Sequence, residues 1–397
     1  AEREGTGVHI AAIVAEYDPF HSGHAYLVQQ ARSHGATHVA AVLSGNFLQR
    51  GAPACFSKWT RARQALACGV DLVVELPLPW AMAGAETFAR GGVALAAALG
   101  AQTLCFGSEC GDAAALDGLA QALLSPAFSQ AVRRALSQGI SFAAAREQAA
   151  ASLLGAQQAR LLEAPNNILG VEYAKAVRLQ GAPLSLQTVK RVGAGHGSDA
   201  ESAFPSASRI RKALLNGEPW GAGMPRESVR EARRALSQGL APASLSHVER
   251  AVLAKLRTMT PEEMARLPDV REGLENRLYA ASRTAGSLED LYARVKTKRY
   301  SHARIRRAVL SAFLGVEAGR AQGTPPYLRV LGFTKAGRAL LGACRLPLVV
   351  RASDRGKLGA RAQALLALES TATDLWALCL PQPAPAGLDF SMGVAAV

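Results

Sequence analysis

Two histidines, His21 and His24, stand three residues apart near the start of the chain, in the run EYDPFHSGH. The apolar residues 10–15 (IAAIVA) before this run predict a buried strand, and residues 25–32 after it show helical spacing. A strand, a tight turn and a helix therefore follow one another. Side chains three apart on a helix lie on the same face, so both imidazoles should project to one side of the first turn.

This arrangement suits the binding of a phosphate chain. A helix start offers unpaired N–H groups and the positive end of the helix dipole. Gly23 has no Cβ, so the backbone there can approach a ligand closely. From this turn the two imidazoles can hydrogen-bond a triphosphate and stabilise the charge that builds up as pyrophosphate leaves.

Two other interpretations of the histidine pair exist. One is a capped helix with two incidental surface histidines, because pairs with this spacing arise by chance. The other is a zinc site, which is less favoured because no cysteine or carboxylate cluster lies nearby to complete tetrahedral coordination. The position of the pair directly after a first strand favours nucleotide binding.

Further strands are predicted over residues 37–44, 71–76, 102–106 and 184–192, and helices over 58–68 and 85–99. Near-continuous apolar strands that alternate with helices indicate an α/β fold with a doubly wound parallel sheet. Ligands bind such sheets at the carboxyl ends of the strands. The HSGH turn, the SGN loop (residues 44–51) and the FGSE loop (residues 106–109) should meet there.

The remaining pattern predicts two domains, residues 1–220 and 221–397. Within the first, residues 111–160 read as an Ala-rich helical insert, and residues 193–205 as a Gly/Ser-rich mobile loop. The second is mainly helical, with amphipathic stretches at 226–238, 244–257, 271–283 and 301–315. Strands are predicted at 327–333 and 346–350, a last helix at 357–379, and a loosely ordered tail from residue 381.

The positive charge is concentrated in one segment. The net charge is +14, and residues 294–357 carry 15 Lys and Arg against only Glu317 and Asp354, a net of +13. This concentration is typical of a nucleic-acid partner. Tyr300 adds a predicted stacking platform for a base. The candidate RNA-binding residues are Lys296, Lys298, Arg299, Tyr300, Arg304, Arg306 and Arg307.

Composition narrows the class of protein. A hydrophobic content of 49% with 19% charged residues is typical of a globular, soluble protein. The six cysteines form no C-x-x-C pair, which favours a reducing compartment and argues against a disulfide framework. No signal pattern and no apolar run of membrane-spanning length is evident, so we expect a cytoplasmic protein without a membrane partner.

Short motifs spread along the chain resemble those of the bacterial tRNA(Met) cytidine acetate ligase family, which belongs to the HxGH nucleotidyltransferase-like group. In order they are AEYDPFHSGH, SGNFLQRG, KWTRA, DLVVELP, FGSE, NNILG and SASRIR, followed by TKRY and LGFTKAG. The resemblance implies an enzyme that uses ATP and Mg²⁺ to convert acetate to acetyl-adenylate. The acetyl group would then pass to the wobble cytidine of elongator tRNA(Met), giving N4-acetylcytidine.

The same resemblance implies a set of site residues. His21, His24 and Arg191 would act on the phosphates of ATP. One asparagine of the NNILG motif would also contact ATP, and the sequence does not distinguish Asn166 from Asn167 in this role. The implied ATP-binding residues are Ile13, Val14, Ala15, Glu16, Tyr17, Asp18, Pro19, Phe20, His21, Ser22, Gly23, His24, Ala25, Tyr26, Gly107, Asn167, Arg191, Ser208 and Arg211.

Two rival functions remain open from the sequence. A nucleotidyltransferase acting on a small molecule would share the HSGH turn but has no need of the basic segment 294–357. A non-catalytic RNA-binding protein would use the basic segment, but it would leave the convergence of HSGH, FGSE and NNILG without a purpose.

Overall fold

In the computed structural model, which describes residues 7–140, 142–191 and 206–397, eight strands form one mixed sheet. Two short strands, β3 and β4, form a separate hairpin. The loop predicted over residues 193–205 lies outside the described residues. The strands are β1 Ile10–Ala15, β2 His38–Ser44, β3 Phe47–Leu48, β4 Ala52–Pro53, β5 Leu72–Leu76, β6 Thr103–Ser108, β7 Ser185–Lys190, β8 Leu328–Phe333, β9 Leu348–Val349 and β10 Ala395–Ala396.

The sheet is parallel at its centre and completed by strands from the end of the chain. The order is β10-β8-β5-β2-β1-β6-β7, with β9 paired to β8. From β5 to β7 all neighbours are parallel, whereas β8 runs antiparallel to β5. The predicted α/β sheet is confirmed. The boundary at residue 220 stays a prediction, and β8, β9 and β10 join the sheet from beyond it.

Helices cover both faces of the sheet and form most of the second half of the chain. None of those in the described part of the chain combines the length and hydrophobicity needed to cross a membrane. They are α1 Ser22–Ser33, α2 Lys58–Ala67, α3 Leu78–Ala81, α4 Ala85–Ala98, α5 Ala113–Leu123, α6 Pro126–Leu136, α7 Phe142–Leu154, α8 Ala156–Ala159, α9 Pro165–Gln180, α10 Ala207–Asn216, α11 Arg226–Ser237, α12 Glu249–Thr258, α13 Pro261–Ala265, α14 Leu274–Thr284, α15 Leu288–Val295, α16 His302–Leu314, α17 Lys335–Leu340, α18 Ala360–Leu378 and α19 Leu388–Ser391. Short 3-10 helices span Arg160–Glu163, Leu245–His247, Leu341–Ala343 and Ala352–Lys357.

The apolar residues of β1 divide between two cores, because successive side chains of a strand point to opposite faces. Ile10 and Ala12 belong to the core that includes α4 and α9. Ala11 and Ile13 belong to the core under α1 and α2. Both faces of the strand are therefore dry, as its unbroken apolar run predicts.

A cluster of buried charges fastens the end of the chain to the sheet. Lys58 on α2 places its Nζ 2.6 Å from Glu75 Oε1 on β5, 2.9 Å from Asp389 Oδ1 on α19 and 3.9 Å from Glu369 Oε1 on α18. Arg329 on β8 donates to the backbone oxygen of Asp389 at 2.8 Å. All five residues are almost fully buried. The tail predicted to be loosely ordered is instead held here, so that prediction was wrong.

The charges in this cluster do not balance unless one carboxyl group is neutral. Three carboxyl groups face the cations of Lys58 and Arg329. Burial and the neighbouring Glu75 raise the pKa of Glu369 well above its usual range, against the effect of Lys58. A proton on Glu369 leaves two negative charges against two positive ones, so an uncompensated charge is avoided.

We expect Lys58→Met to lower the free energy of unfolding by about 3–5 kcal/mol, because it removes one partner of a buried ion cluster. The matched control is Lys357→Met, which removes an ion pair of 2.8 Å to Asp354 in which the lysine is 77% exposed. Exposed pairs contribute roughly 0–1 kcal/mol. Urea unfolding followed by circular dichroism measures both variants, and equal losses would contradict a structural role of the cluster.

Candidate active site

The turn between β1 and α1 holds the two histidines in a reciprocal pair of hydrogen bonds. His21 caps α1, and its Nδ1 accepts from the backbone N–H of Gly23 at 3.0 Å. The backbone N–H of His21 in turn donates to His24 Nδ1 at 3.1 Å. The two rings stack with centroids 3.7 Å apart and planes 25° from parallel. Both rings therefore project to one side, as the spacing predicts.

These hydrogen bonds determine what the rings offer to a ligand. Each Nδ1 accepts a backbone proton, so a neutral ring carries its own proton on Nε2. Burial, together with the charges of Arg191 and Arg211, lowers the pKa of His21 to about 4. Burial, His21 and Arg191 hold the pKa of His24 well below its usual range. At neutral pH the site therefore presents two uncharged Nε2–H donors.

Buried aromatic side chains support the turn from below. Tyr17 and Phe20 are each at most 1% exposed, and their ring centroids lie 4.8 Å apart. The His24 ring meets Tyr17 edge-on at 4.8 Å. Tyr17 adopts a φ of +47°, which is strained for a bulky residue. With their side chains packed inside, Tyr17 and Phe20 can reach a nucleotide only through their backbone atoms.

Helix α11 and the loop before it hold the turn from the second half of the chain. The backbone N–H of Ser22 donates to the Gly223 carbonyl at 2.9 Å. Ser228 on α11 donates its hydroxyl to the Phe20 carbonyl at 2.7 Å. The sequence motifs did not identify these contacts, because they join residues far apart in the chain.

Asp18 is turned away from the space in front of the histidines. Its carboxylate accepts from Arg50 Nη2 at 2.6 Å and from the Cys55 backbone N–H at 2.8 Å, with a side chain only 1% exposed. Arg211 on α10 donates from Nη1 to the Asp18 carbonyl at 2.8 Å. Arg211 therefore lies against the HSGH turn, as its motif implied. The carboxylate itself is engaged by protein donors.

Arg61 is a positioning residue that the sequence reasoning missed. Its side chain is fully buried, and Nη1 donates to the carbonyls of Glu16 at 2.6 Å and Ser44 at 3.0 Å. Nη2 donates to the Gly45 carbonyl. Burial lowers its pKa to about 10, which leaves it charged at neutral pH. One guanidinium thus joins the carboxyl ends of β1 and β2, and the KWTRA motif was the available signal.

The FGSE and NNILG motifs form the opposite rim. Glu109 accepts from Asn166 Nδ2 at 2.7 Å and from the Asn167 backbone N–H at 2.8 Å. Burial opposes ionisation here, but the hydrogen bonds from Asn166 and the nearby backbone N–H groups lower the pKa of Glu109. Asn167 Oδ1 accepts from the backbone N–H groups of Glu109 and Cys110 at 3.1 Å each. Asn167 is buried and shapes the loop.

Arg191 lies between this rim and the histidines. Its Nη1 donates to Asn166 Oδ1 at 3.2 Å, and it lowers the pKa of both His21 and His24. The absence of a side chain at Gly107 leaves space for the Arg191 side chain, because a Cβ at this position would lie only 3.3 Å from Arg191 Cγ. Among the two asparagines left open by the sequence, Asn166 is therefore the one whose side chain contacts Arg191.

The SASRIR motif forms the start of α10. Ser206 caps the helix and accepts from the Arg209 backbone N–H at 3.3 Å. Ser208 is exposed in the first turn, and Arg211 follows one turn later on the HSGH turn. Among these residues, the charged group that reaches the candidate site is Arg211.

The carboxylates near the site are all engaged by protein donors. Glu16 accepts from the Gln49 backbone N–H at 2.8 Å, while Asp18 and Glu109 have the partners given above. Over residues 7–140, 142–191 and 206–397, no group of three His, Cys, Asp or Glu residues could hold a metal ion. The carboxylates near the site in this described part of the chain do not fit a dedicated Mg²⁺ site.

The predicted RNA-binding cluster is only partly available to a partner. Lys296, Lys298 and Arg299 are exposed, although Lys296 Nζ donates to the Tyr300 carbonyl at 3.1 Å. Tyr300 is 3% exposed, and the guanidinium of Arg304 lies 5.3 Å from its ring centre. The hydroxyl of Tyr300 donates to the Glu272 carbonyl. The predicted stacking role of Tyr300 was therefore wrong, because its ring is buried in the helical core.

Arg306 and Arg307 bring α16 close to the candidate site. Arg307 Nη1 donates to the Gln49 carbonyl at 3.2 Å. At Gly51, where φ is +76°, a Cβ would lie 2.5 Å from Arg306 Cβ. Helix α16 is thus pressed against the β3–β4 hairpin, the segment whose Arg50 holds Asp18.

One group of known proteins is similar to this chain over nearly its whole length. Residues 8–388 match the model of the HIGH Nucleotidyl Transferase family. The chain is 40% identical to the tRNA(Met) cytidine acetate ligase of Syntrophotalea carbinolica, over 93% of this chain and 94% of that protein. It is 35% identical to the tRNA(Met) cytidine acetate ligase of Acetivibrio thermocellus, over 97% and 99% of the two chains. The chain belongs to the tRNA(Met) cytidine acetate ligase family.

Solved structures of one relative share the fold. Thermotoga maritima TmcAL bound with alpha-thio ATP superposes with a TM-score of 0.91 at 31% identity, covering 98% of this chain and 99% of that one. The apo form gives a TM-score of 0.92, with 98% and 100% covered. The family resemblance carried by the short motifs is confirmed, and so is the nucleotidyltransferase-like fold.

The low pKa of His21 should appear as a pH dependence of stability. An unfolded histidine titrates near 6.5, so acidification from pH 6.5 towards 4 protonates the unfolded chain first and destabilises the fold. His21→Asn keeps an N-cap acceptor but does not titrate. Urea unfolding at pH 7.5 and pH 5 should show about 1–2 kcal/mol less acid destabilisation in the variant, at roughly 1.4 kcal/mol per pH unit. Identical losses in both proteins would contradict a neutral His21.

Proposed function

We propose that the protein is an ATP-dependent ligase that activates acetate as acetyl-adenylate and acetylates the wobble cytidine of elongator tRNA(Met) to N4-acetylcytidine. The observation that carries the proposal is the stacked pair of neutral histidines, which presents two Nε2–H donors at the start of α1. Membership of the ligase family supports the choice of acetate and tRNA over a small-molecule acceptor. Such a ligase works in the cytoplasm, where ATP and tRNA occur together.

In the first half-reaction an acetate oxygen attacks the α-phosphorus of ATP. The bond from that phosphorus to the oxygen bridging to the β-phosphate breaks, and pyrophosphate leaves with the electron pair. His21 and His24 donate Nε2–H hydrogen bonds to the phosphate oxygens, where negative charge builds up. Arg191 and Arg211 add fixed positive charge on two sides of the turn. These donors are held in place before the reaction, and this is the condition under which they lower the barrier most.

In the second half-reaction the N4 amine of cytidine attacks the acetyl carbonyl carbon. The bond from that carbon to the adenylate oxygen breaks, AMP leaves, and the amine loses one proton. No covalent enzyme intermediate is needed, since the mixed anhydride is already activated. A wobble base lies in a single-stranded loop and can be turned out of its stack into the site.

Mg²⁺ is proposed to arrive with the phosphates of ATP rather than on a protein site. Mg²⁺ in nucleotide sites is commonly held by substrate phosphates and waters with few protein ligands. When bound, it would neutralise part of the phosphate charge. The engaged state of Glu16, Asp18 and Glu109 supports this assignment.

Labelled acetate provides the direct test of the function. The protein is incubated with ATP, Mg²⁺, labelled acetate and bulk bacterial tRNA, and the tRNA is digested to nucleosides. Label in N4-acetylcytidine is the expected result. ATP consumption without labelled tRNA would point to a different acceptor, and no ATP consumption would overturn the proposal.

His24→Ala should lower acetyl-adenylate formation by roughly 10²–10³-fold, the loss typical of removing one transition-state donor. The matched control is His34→Ala at the other end of α1, where the exposed imidazole hydrogen-bonds the Ser33 hydroxyl and the Gln30 carbonyl. Acetate-dependent exchange of pyrophosphate into ATP measures the rate. A folded His24→Ala protein with the rate of the control would remove the histidine pair from the mechanism.

Lys298→Gln with Arg299→Gln should weaken tRNA binding and flatten its salt dependence by about one to two units of slope. Both residues are exposed, whereas Arg304 and Arg307 are occupied by contacts within the protein. Binding of labelled tRNA(Met) at several salt concentrations measures the effect, and ATP affinity should stay constant. An unaltered slope would show that this end of the basic segment does not touch RNA.

A further inference from the structure

A cavity of about 390 Å³ lies on the exposed side of α11 and the loop before it. Three of its lining residues are arginines on α11, at positions 226, 230 and 233. The other lining residues are Gly221, Met224 and Val229. The cavity therefore combines a cationic wall with a small apolar floor, outside the nucleotide site described above.

The arginines form one row. Arg226, Arg230 and Arg233 are spaced by four and three residues, which places their guanidinium groups along one helix face. Arg230 approaches Glu231 Oε1 at 3.7 Å with a side chain that is 71% exposed, a weak pairing. Glu231 is already engaged by Arg63 at 3.2 Å.

Little in the surroundings neutralises this row. Within the described part of the chain, Arg226 and Arg233 form no ion pair, and the other acid on the helix is the exposed Glu227. Three cations beside one another are unfavourable for folding unless a ligand offsets them. Guanidinium groups in a row match the fork geometry and spacing of successive phosphates better than they match a single small anion.

The loop that lines this cavity is hydrogen-bonded to the HSGH turn. Gly223, between the lining residues Gly221 and Met224, accepts the hydrogen bond from the Ser22 backbone. Ser228, on the opposite and buried face of α11, donates to the Phe20 carbonyl, so the helix that carries the row is also bonded to this turn. The loop that lines the cavity is therefore bonded directly to the turn that carries the histidine pair.

We propose that this cavity is an RNA-binding site, which holds the sugar–phosphate backbone of the tRNA next to the base that is acetylated. The arginines contact the phosphodiesters and the floor of Met224 and Val229 receives a ribose face. The inference rests on the proposed function, since it takes tRNA as the partner. It adds a surface that lies outside the basic segment 294–357, with a lining loop that is hydrogen-bonded to the HSGH turn.

The test compares three triple variants with the wild type in binding labelled tRNA(Met) over a range of salt. The first variant, Arg226→Gln/Arg230→Gln/Arg233→Gln, is called the Gln row and removes the three positive charges. The second variant, Arg226→Lys/Arg230→Lys/Arg233→Lys, is called the Lys row and keeps the three positive charges. The matched control Arg133→Gln/Arg134→Gln/Arg160→Gln removes the same charge from exposed arginines of the helical insert.

We expect the Gln row to weaken tRNA binding by about tenfold or more and to flatten the salt slope by about two units, roughly 0.7 for each lost contact to single-stranded RNA. The Lys row should keep the slope, and the control should retain wild-type binding. Calorimetric titration of ATP, in the same preparations, should give unchanged affinity. Equal losses in the Gln row and the control would show a net-charge effect and overturn the site.

Two further outcomes separate this site from the proposed function. If the Gln row lowers ATP affinity but not tRNA affinity, the cavity serves the free nucleotide phosphates and the RNA site is overturned. If the wild type acetylates tRNA but the Gln row binds it with the wild-type slope, the ligase function stands and the α11 site falls. If the wild type does not bind the tRNA, both fall together.

Discussion

The geometry of the site depends on one buried guanidinium. Arg61 is fully buried and donates to backbone carbonyls at the ends of β1 and β2. Backbone carbonyls that leave a strand at its carboxyl end have no partner in the sheet, and a buried carbonyl without a donor is costly. By satisfying both ends at once, Arg61 determines where the HSGH turn begins. That turn, the hydrogen bonds of the two rings and the contact of His24 with Tyr17 then place the histidines.

The β3–β4 hairpin connects the HSGH turn to helix α16. On one side its Arg50 holds Asp18 beneath the histidine turn, and on the other its Gln49 and Gly51 pack against α16. Helix α16 and the HSGH turn thus pack against the same hairpin.

The local pattern predicted the local structure well. The strand, turn and helix around His21 follow from apolar periodicity, and these signals depend only on neighbours in sequence. The antiparallel pairing of β8 with β5 and the burial of Asp389 could not be predicted in this way, because they join residues far apart in the chain. Tyr300 shows the same difficulty, since a tyrosine between basic residues looks like a base-stacking platform until its burial is known.

Counting Lys and Arg along the sequence indicated a nucleic-acid partner, but it did not show which of these side chains are exposed. The basic segment 294–357 includes Arg329, which lies in the interior, and Arg304, which is bonded to carbonyls and to Glu272. A linear count cannot separate such structural cations from those that face solvent. The exposed arginine row of α11 was missed by the same count, because Glu227 and Glu231 lower the net charge of that segment.

The position of Asp389 among buried charges has a consequence for the order in which the protein is made. Strands β1, β2 and β5 emerge early in synthesis, but Lys58 and Glu75 find their remaining partners only when Glu369 and Asp389 follow. Until then β5 also has an open edge, which β8 later covers. The nucleotide-binding half therefore cannot complete its interior until Glu369 and Asp389 have been made, and the edge of β5 stays unpaired until β8 follows.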